Sequence, residues 1–190
     1  CPFNCCFCSV HLHMGKTFRA HSADYVTNHI AHVLAKYRVK TIFFEDDNLT
    51  FDLKRFETIC DKIIEKNIKF NWETPNGVRA DYLTLNLLKK MKKSGCQSVF
   101  FGIESGNRRM LRIMRKRITP TLARQAVETA HRAGIEVGGF FILGYPGETT
   151  SSLLDTLRFS SRLPLDYLSY SFPYPILGTG LYSKVQGQID

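Results

Sequence analysis

Five short apolar runs alternate with helix-length stretches along this chain, and this alternation limits the folds open to it. The runs cover Thr41 to Glu45, Phe70 to Glu73, Ser98 to Ile103, Val137 to Leu143 and Tyr167 to Phe172. Each is bounded by polar or turn-forming residues, which is typical of buried strands. Strand, helix and strand units of about 30 residues favour parallel sheets with right-handed crossovers. The pattern predicts an α/β fold, either an open sheet or a barrel, and both bind ligands beyond the carboxyl ends of their strands.

Helical signals separate the predicted strands. Apolar residues recur on one helical face in two stretches: Val26, Ile30, Val33, Leu34 and Tyr37, and then Phe56, Ile59, Ile63 and Ile64. Thr119 followed by Pro120 predicts the start of a third helix, which Gly134 ends. A fourth helix is predicted over Thr149 to Leu163.

Three cysteines, Cys1, Cys5 and Cys8, open the chain with C-x-x-x-C-x-x-C spacing. Thiolates select zinc, copper(I) or iron–sulfur clusters. A four-iron cluster normally binds four thiolates, so three thiolates leave one iron position open. Structural zinc favours paired C-x-x-C units, and no second pair follows, although His11 or His13 could complete a Cys₃His site. Isolated Cys6, Cys60 and Cys96 do not suggest a disulfide scaffold, and we expect Cys6 to point away from the metal.

Polar residues follow the predicted strands. Asp46, Asp47 and Asn48 come after the first strand, where carboxylates could also bind a divalent cation. Glu73 ends the second strand and could pair with Arg79. Glu104 follows the third strand and could cap the next helix.

Length and charge set broader limits. With 190 residues and 44% hydrophobic content, we expect one domain over residues 1–190. The net charge of +9 comes partly from two runs of Lys and Arg, which we interpret as solvated helix faces because no aromatic residues interleave with them. No apolar run reaches the roughly 18 residues of a membrane span. Few cysteines lie outside the triplet, so we expect a cytoplasmic protein, and because the chain begins on a cysteine we expect an excerpt of a longer one.

Several motifs together resemble the radical S-adenosylmethionine (radical SAM) enzymes. They are the cysteine triplet with Phe7 before its third Cys, F-E-D-D-N-L-T, W-E-T-P-N-G, G-I-E-S-G, G-F-F-I-L-G-Y-P-G-E-T and the closing G-T-G-L-Y. The resemblance implies a partial (β/α)₆ TIM-type barrel whose first strand lies upstream of Cys1. It also implies a [4Fe–4S] cluster on Cys1, Cys5 and Cys8, with S-adenosylmethionine on the fourth iron. Reductive cleavage of that ligand then yields a 5′-deoxyadenosyl radical, which abstracts hydrogen from a substrate.

The same resemblance implies roles for further residues. Asp46, Asp47 or Asn48, together with Glu73, is expected to contact the amino group of the methionine moiety. Glu104 is expected to bind the ribose hydroxyls and Lys116 the carboxylate, while Ile142 lies against the adenine. Phe7 and Ser105 complete the cofactor-binding set that the resemblance implies.

Within this family, the D-D-N, W-E-T-P-N-G and G-I-E-S-G motifs most resemble members that carry a cobalamin-binding domain before the cysteines. The resemblance implies upstream cobalamin, methylation or related C–H functionalisation of a small-molecule, lipid or tetrapyrrole-like substrate, and a flavodoxin or ferredoxin as electron donor. Nucleic acid is not expected. Two alternatives are a tRNA methylthiotransferase, and a non-catalytic zinc or iron–sulfur module that binds nucleic acid.

Overall fold

The computed structural model describes residues 1–81 and 83–188 of the chain. One sheet contains five parallel strands in sequence order: β1 (Thr41–Phe43), β2 (Asn71–Val78), β3 (Cys96–Glu104), β4 (Glu136–Ile142) and β5 (Tyr167–Ser171). The helices are α1 (Val10–His13), α2 (Ala23–Lys36), α3 (Leu53–Glu65), α4 (Leu85–Lys93), α5 (Arg108–Ile113), α6 (Pro120–Arg132), α7 (Thr150–Ser160) and α8 (Gly180–Val185), followed by a 3₁₀ turn over Gln186–Gln188. The α/β prediction is confirmed. The parallel sheet and its helices form a partial TIM-type barrel. A sixth strand before Cys1 stays a prediction.

Local signals explain why the predicted helices begin where they do. Ser22, Asp52, Thr119 and Thr149 each accept a backbone N–H in the first turn of α2, α3, α6 and α7. Gly134, with φ +76°, follows the last residues of α6, as expected of a glycine at a helix end. Each long helix therefore returns the chain to the amino end of the next strand.

Strand β2 is longer than the sequence predicts. Its pairing with β3 steps from Thr74↔Val99 to Val78↔Phe101, so Pro75, Asn76 and Gly77 form a bulge inside the strand. A bulge tolerates Pro and Gly, since ladder hydrogen bonds are interrupted there. The sequence predicts that this strand ends at Glu73. The strand end lies instead at Val78, and Glu73 lies in the amino-terminal half of β2.

The apolar pattern did not predict the bounds of α1, α4, α5 or α8, although the two basic runs indicated helices where α4 and α5 lie. The Lys run lies on α4, which buries Leu87, Leu88 and Met91 and leaves Lys89, Lys92 and Lys93 exposed. The Arg run begins on α5, which buries Met110 and Leu111. The Lys run is a solvated helix face, as predicted, whereas the Arg run continues beyond α5 and includes Lys116, which is buried.

Two apolar clusters stabilise the described residues. The larger one lies between the sheet and the helices and surrounds Trp72, whose ring contacts Phe44 and Phe56 edge to face. The smaller one lies beside the cysteines and contains Met110, Met114, Ile142, Tyr145 and Leu181, with Phe7 packed against it. In the described part of the chain, no helix combines the length and apolar character that a membrane crossing needs.

Candidate functional site

A cavity of about 370 Å³ opens at the carboxyl ends of the strands. The cysteine loop, the loop after β1 and the ends of β2, β3 and β4 contribute its walls. The predicted site residues that line it are Cys1, Cys5, Phe7, Cys8, Asp47, Asn48, Glu104 and Lys116. The fold therefore brings together most of the residues predicted from separate motifs.

The three predicted ligand cysteines share one wall of this cavity, whereas Cys6 is buried outside it. Within residues 1–81 and 83–188, no three His, Cys, Asp or Glu side chains are placed to hold a single metal ion. Zinc needs every thiolate at about 2.3 Å from the same ion, whereas a four-iron cluster meets each thiolate through a different iron and needs them spread apart. Three thiols that line one cavity are a donor set that a four-iron cluster accepts, with one iron position left open. Burial raises the pKa of the Cys5 thiol, and the positive charges of Lys116 and Arg79 oppose that rise.

Cys6 anchors the cysteine loop through its backbone. Its N–H donates to the Met114 carbonyl at 2.9 Å, and its own carbonyl accepts from the Leu181 N–H at 2.8 Å. These bonds connect the loop to the end of α5 and the start of α8. The prediction that the Cys6 thiol points away from the cysteine site agrees with this placement.

Glu104 and Lys116 form a buried ion pair at the cavity, with Lys116 Nζ 2.7 Å from Glu104 Oε1. Each residue is less than a tenth exposed. Glu104 has φ +68°, a left-handed conformation rare for a residue with a side chain, at the register shift that ends β3. It does not cap α5, because Asn107 accepts the N–H groups of Arg109 and Met110. The alternative role of Glu104 as a helix cap is therefore wrong.

Gly102 leaves room for this pair. A Cβ atom at that position would lie 2.8 Å from both Glu104 Oε1 and Lys116 Nζ, closer than such atoms approach in folded proteins. The missing side chain therefore keeps the carboxylate and ammonium within the cavity wall. A close approach of this kind is one reason for a glycine in a strand.

Asn48 contributes a buried amide to the cavity. It is 7% exposed, and neither Nδ2 nor Oδ1 has a hydrogen-bond partner in the described structure. Such an amide normally costs stability, so its presence in a cavity wall indicates a ligand that supplies both a donor and an acceptor. Neighbouring Asp46 lines an adjacent cavity of about 230 Å³, where burial raises the pKa of its carboxyl.

Besides Asp46, three predicted residues do not line the main cavity. Glu73 accepts a hydrogen bond from the Ser98 hydroxyl at 2.9 Å, because the longer β2 places it far from the strand end. The Ser105 side chain is buried and its hydroxyl bonds to Thr156 of α7 at 2.9 Å. Ile142 packs in the small apolar cluster. The structure thus gives no cavity contact to these three side chains.

Arg79 is a cavity residue whose role the sequence did not reveal. Its guanidinium donates two hydrogen bonds to the Asp81 carboxylate at 2.8 and 2.9 Å, and a third to the Lys116 carbonyl at 3.2 Å. It also lies 3.7 Å from the ring centroid of Phe3, in the cysteine loop. The alternative role of Glu73 as the partner of Arg79 is therefore wrong, because Arg79 pairs with Asp81. Arg79, at the end of β2, instead contacts the cysteine loop and the Lys116 segment. These segments are distant in sequence, so no local motif predicts the contacts.

Several known proteins are similar to this chain in sequence or in fold. An uncharacterized methyltransferase of Pyrococcus horikoshii is 36% identical over 182 residues, which cover 96% of this chain and 39% of that protein. A Methanocaldococcus jannaschii protein with the provisional name of a methylthiotransferase is 29% identical over 97% of this chain and 42% of its own. The structure of the radical S-adenosylmethionine methyltransferase TsrM from Kitasatospora setae, with cobalamin and a [4Fe–4S] cluster bound, matches with a TM-score of 0.87 at 14% identity, over 99% of this chain and 38% of that one.

The chain thus spans about two fifths of the length of these similar proteins. Residues 1–160, which include the cysteines, the cavity and β1 to β4, match the family described as the radical SAM superfamily. The match extends far beyond the cysteine motif, and it includes the strands whose ends form the cavity. Together with the 36% identical relative, it establishes that the chain belongs to the radical SAM superfamily.

Proposed function

We propose that this chain is the catalytic core of a radical SAM methyltransferase. Cys1, Cys5 and Cys8 would hold a [4Fe–4S] cluster, and the cavity would hold S-adenosylmethionine. When bound, the two groups supply reductive cleavage of the sulfonium and a radical that abstracts hydrogen. The observation that carries the proposal is the single cavity lined by three cysteines, an unpaired buried amide at Asn48 and the Glu104–Lys116 pair.

The residues of this cavity fit the proposed cofactor. The methionine end of S-adenosylmethionine carries an ammonium donor and a carboxylate acceptor, and the Asn48 amide offers one acceptor and one donor. Lys116 supplies a positive charge for the carboxylate of the cofactor. Glu104 can accept hydrogen bonds from the ribose hydroxyls through Oε2, because this atom forms no hydrogen bond within residues 1–81 and 83–188. Phe7 and Phe140 add apolar surface. Cofactor binding would therefore satisfy Asn48 and use both members of the buried ion pair.

The protein residues would position the cofactor and limit access of water. The Glu104–Lys116 pair is buried at the cavity, so its interactions are screened less than those of surface charges. Arg79 donates to the Lys116 carbonyl and lies against the Phe3 ring, so it holds the Lys116 segment to the cysteine loop. The chain's own contribution is orientation and electrostatics, as expected where a cofactor carries the reaction.

Anaerobic reconstitution tests this proposal. The full protein should incorporate about four irons per chain, as a [4Fe–4S] cluster requires, and should release 5′-deoxyadenosine from S-adenosylmethionine on reduction with dithionite. Iron content and the absorption spectrum report the cluster, and chromatography reports the product. Zinc in place of iron, with no cleavage, would contradict the proposal and favour the non-catalytic metal module.

Methyl transfer with cobalamin is the finer part of the proposal. Two observations support it: the 36% identical relative has a methyltransferase name, and the TsrM structure of matching fold contains cobalamin. The provisional methylthiotransferase name belongs to a relative that is 29% identical, which supports that alternative less. If the full protein has a cobalamin domain before Cys1, reconstitution with cobalamin should retain the cofactor, whereas a second cluster domain before Cys1 would favour methylthio transfer. A small-molecule, lipid or tetrapyrrole-like substrate remains part of this proposal.

The Asn48 amide predicts opposite effects on stability and on cofactor binding. In the Asn48→Leu variant, the Kd for S-adenosylmethionine should rise about tenfold or more, because a lost hydrogen bond to a charged group costs about 1.5–3 kcal/mol. The free energy of unfolding should stay constant or increase, because the chain itself leaves this amide unpaired. Equilibrium dialysis with the reconstituted protein and denaturant titration measure the two quantities.

Asn71→Leu provides the control for this comparison. Asn71 is exposed at the start of β2, at the opposite end of the sheet from the cavity. Its substitution should leave the Kd unchanged. Unchanged affinity in Asn48→Leu, or a large loss of stability there, would show that the Asn48 amide serves the fold and not the ligand.

A further inference from the structure

Tyr145 carries a buried hydroxyl group that the polypeptide leaves unpaired. The residue follows β4 and is 1% exposed, and its Oη atom has no hydrogen-bond partner among the residues that the structure describes. A buried hydroxyl without a partner costs stability, so phenylalanine would suit a purely apolar role better. The hydroxyl therefore indicates a partner that the polypeptide itself does not supply.

The turn that contains Tyr145 is held by hydrogen bonds on both sides of the residue. The Tyr145 carbonyl accepts the Glu148 N–H at 2.8 Å, and the Glu148 carboxylate accepts the Gly144 N–H at 2.6 Å. Arg109 of α5 donates to the Gly147 carbonyl at 2.9 Å. The backbone of the tyrosine is therefore fixed, and its ring enters the fold from a defined position.

The ring of Tyr145 packs against the cysteine loop. It contacts the Phe7 ring edge to face, with 6.4 Å between the centroids, and Phe7 is the residue before Cys8. Tyr145 also belongs to the small apolar cluster. Two other members of that cluster, Met114 and Leu181, each form a backbone hydrogen bond with the cysteine loop. The unpaired hydroxyl therefore lies in the layer of side chains that supports the proposed metal ligands.

The polar groups around this hydroxyl are thiols and cations. The pKa of the Tyr145 phenol is raised to about 12, first by burial and then by the charges of Cys6 and Cys5, so the phenol keeps its proton at neutral pH. Exposed Lys184, with Nζ 6.0 Å from the ring centroid, has no acceptor to offer. Tyr145 does not line the main cavity, so S-adenosylmethionine bound there is not its expected partner. A negatively charged group held by the cysteines would supply the missing acceptor.

We propose that the Tyr145 hydroxyl donates a hydrogen bond to a sulfur atom of the cluster, either a sulfide or a ligand thiolate, and thereby raises the reduction potential of the cluster. The inference rests on the proposed function, since it requires a [4Fe–4S] cluster on Cys1, Cys5 and Cys8. Hydrogen bonds to the sulfurs are among the features that set the potential of such clusters. Reduction adds one electron to the acceptor, so the hydrogen bond is stronger in the reduced state, and the phenol retains its proton throughout.

Water is the alternative partner for this hydroxyl. A buried water is typically held by about three hydrogen bonds to polar groups. The cluster around Tyr145 consists of two methionines, an isoleucine and a leucine, with Phe7 packed against it, and these side chains offer water no strong donor or acceptor. The surroundings therefore favour an acceptor on the side of the cysteine loop, and water is retained as an outcome of the test.

Tyr145→Phe tests the inference, because it removes the hydroxyl and keeps the ring. In the full reconstituted protein, the ratio of reduced to oxidised cluster at a fixed potential should fall about tenfold, which is a shift of about 59 mV to a more negative potential for a one-electron couple. Electron paramagnetic resonance during a redox titration measures the ratio. Transfer to D₂O should shift the iron–sulfur vibrations of the wild type in resonance Raman spectra, and Tyr145→Phe should reduce that shift. Neither readout depends on turnover.

Tyr170→Phe is the matched control. The hydroxyls of Tyr170 on β5 and Ser160 at the end of α7 bond to each other at 2.6 Å, so this variant removes a phenol oxygen that already has a partner in the fold. It should leave the potential unchanged. Both variants should contain as much iron as the wild type. The free energy of unfolding of Tyr145→Phe should stay constant or increase, because the chain leaves this hydroxyl unpaired.

The outcomes separate this inference from the proposed function. An unchanged potential in Tyr145→Phe would overturn the inference and favour water as the partner, and loss of iron in that variant would overturn it in favour of a role in assembly. An equal shift in Cys6→Ala would also overturn it, because the Cys6 thiol would then be the group that the hydroxyl serves. A wild-type protein that shows the Tyr145-dependent potential but does not cleave S-adenosylmethionine would count against the proposed function alone.

Discussion

Replacing Cys5 with alanine is expected to abolish cluster assembly and cleavage of S-adenosylmethionine, while the protein stays folded. Cys5 lines the cavity beside Cys1 and Cys8, and a cluster that already has one open position cannot retain its place with two thiolates. Its side chain is only partly buried, so truncation removes little core packing. Iron analysis, absorption spectra and circular dichroism of the reconstituted Cys5→Ala variant measure these expectations.

Cys6→Ala is the matched control, since it removes a thiol from the same loop. The Cys6 side chain is buried near Gly180 and not in the cavity. Its structural bonds to Met114 and Leu181 come from the backbone and survive the substitution. Iron content and cleavage should therefore remain close to those of the wild type. Loss of iron in Cys6→Ala together with retention in Cys5→Ala would show that the ligand set is wrong.

Lys116→Met is expected to cost about 3–5 kcal/mol of unfolding free energy, because it leaves the Glu104 carboxylate buried without its partner. It should also weaken binding of S-adenosylmethionine, while iron content is preserved, since Lys116 holds no metal in the proposed site. Denaturant titration, iron analysis and equilibrium dialysis measure the three effects. A substitution that affects binding alone would indicate that the buried pair forms only part of the time.

The double variant Glu104→Gln with Lys116→Met separates stability from binding. Removing both charges together should restore most of the lost stability, since replacing a whole buried ion pair is often close to neutral. Binding should stay weak, because neither the carboxylate nor the ammonium is available to the cofactor. If binding recovered together with stability, the pair would have a structural role only.

The sequence predicted the parts of this fold that local chemistry determines. All five strands and four long helices were identified, because buried strands and capped helices have short-range signals such as Thr119–Pro120. The family resemblance assigned Asp47, Asn48, Glu104 and Lys116 to one site, and the structure places them along one cavity, since parallel strands bring their carboxyl ends to one edge. Their contact with cofactor stays a prediction.

The remaining features depend on contacts between distant segments. Pro75 and Gly77 are residue types that favour a turn, but in the fold they form a bulge where β2 pairs with β3. Strand β2 therefore continues past Glu73, which does not lie at the strand end. Arg79 gained its importance only when the fold placed Phe3, Asp81 and the Lys116 carbonyl around it. A pattern in one sequence does not predict contacts between residues that are distant in sequence.

The backbone of Cys6 has a further consequence for the architecture of the protein. Its N–H and C=O bond to segments that lie far apart in sequence, at Met114 and at Leu181, so the opening of the chain is locked to its last helix. Displacement of α8 would therefore act on the cysteine loop through the hydrogen bond from Leu181 to Cys6, so the backbone of Cys6 couples the position of α8 to that of the cysteines.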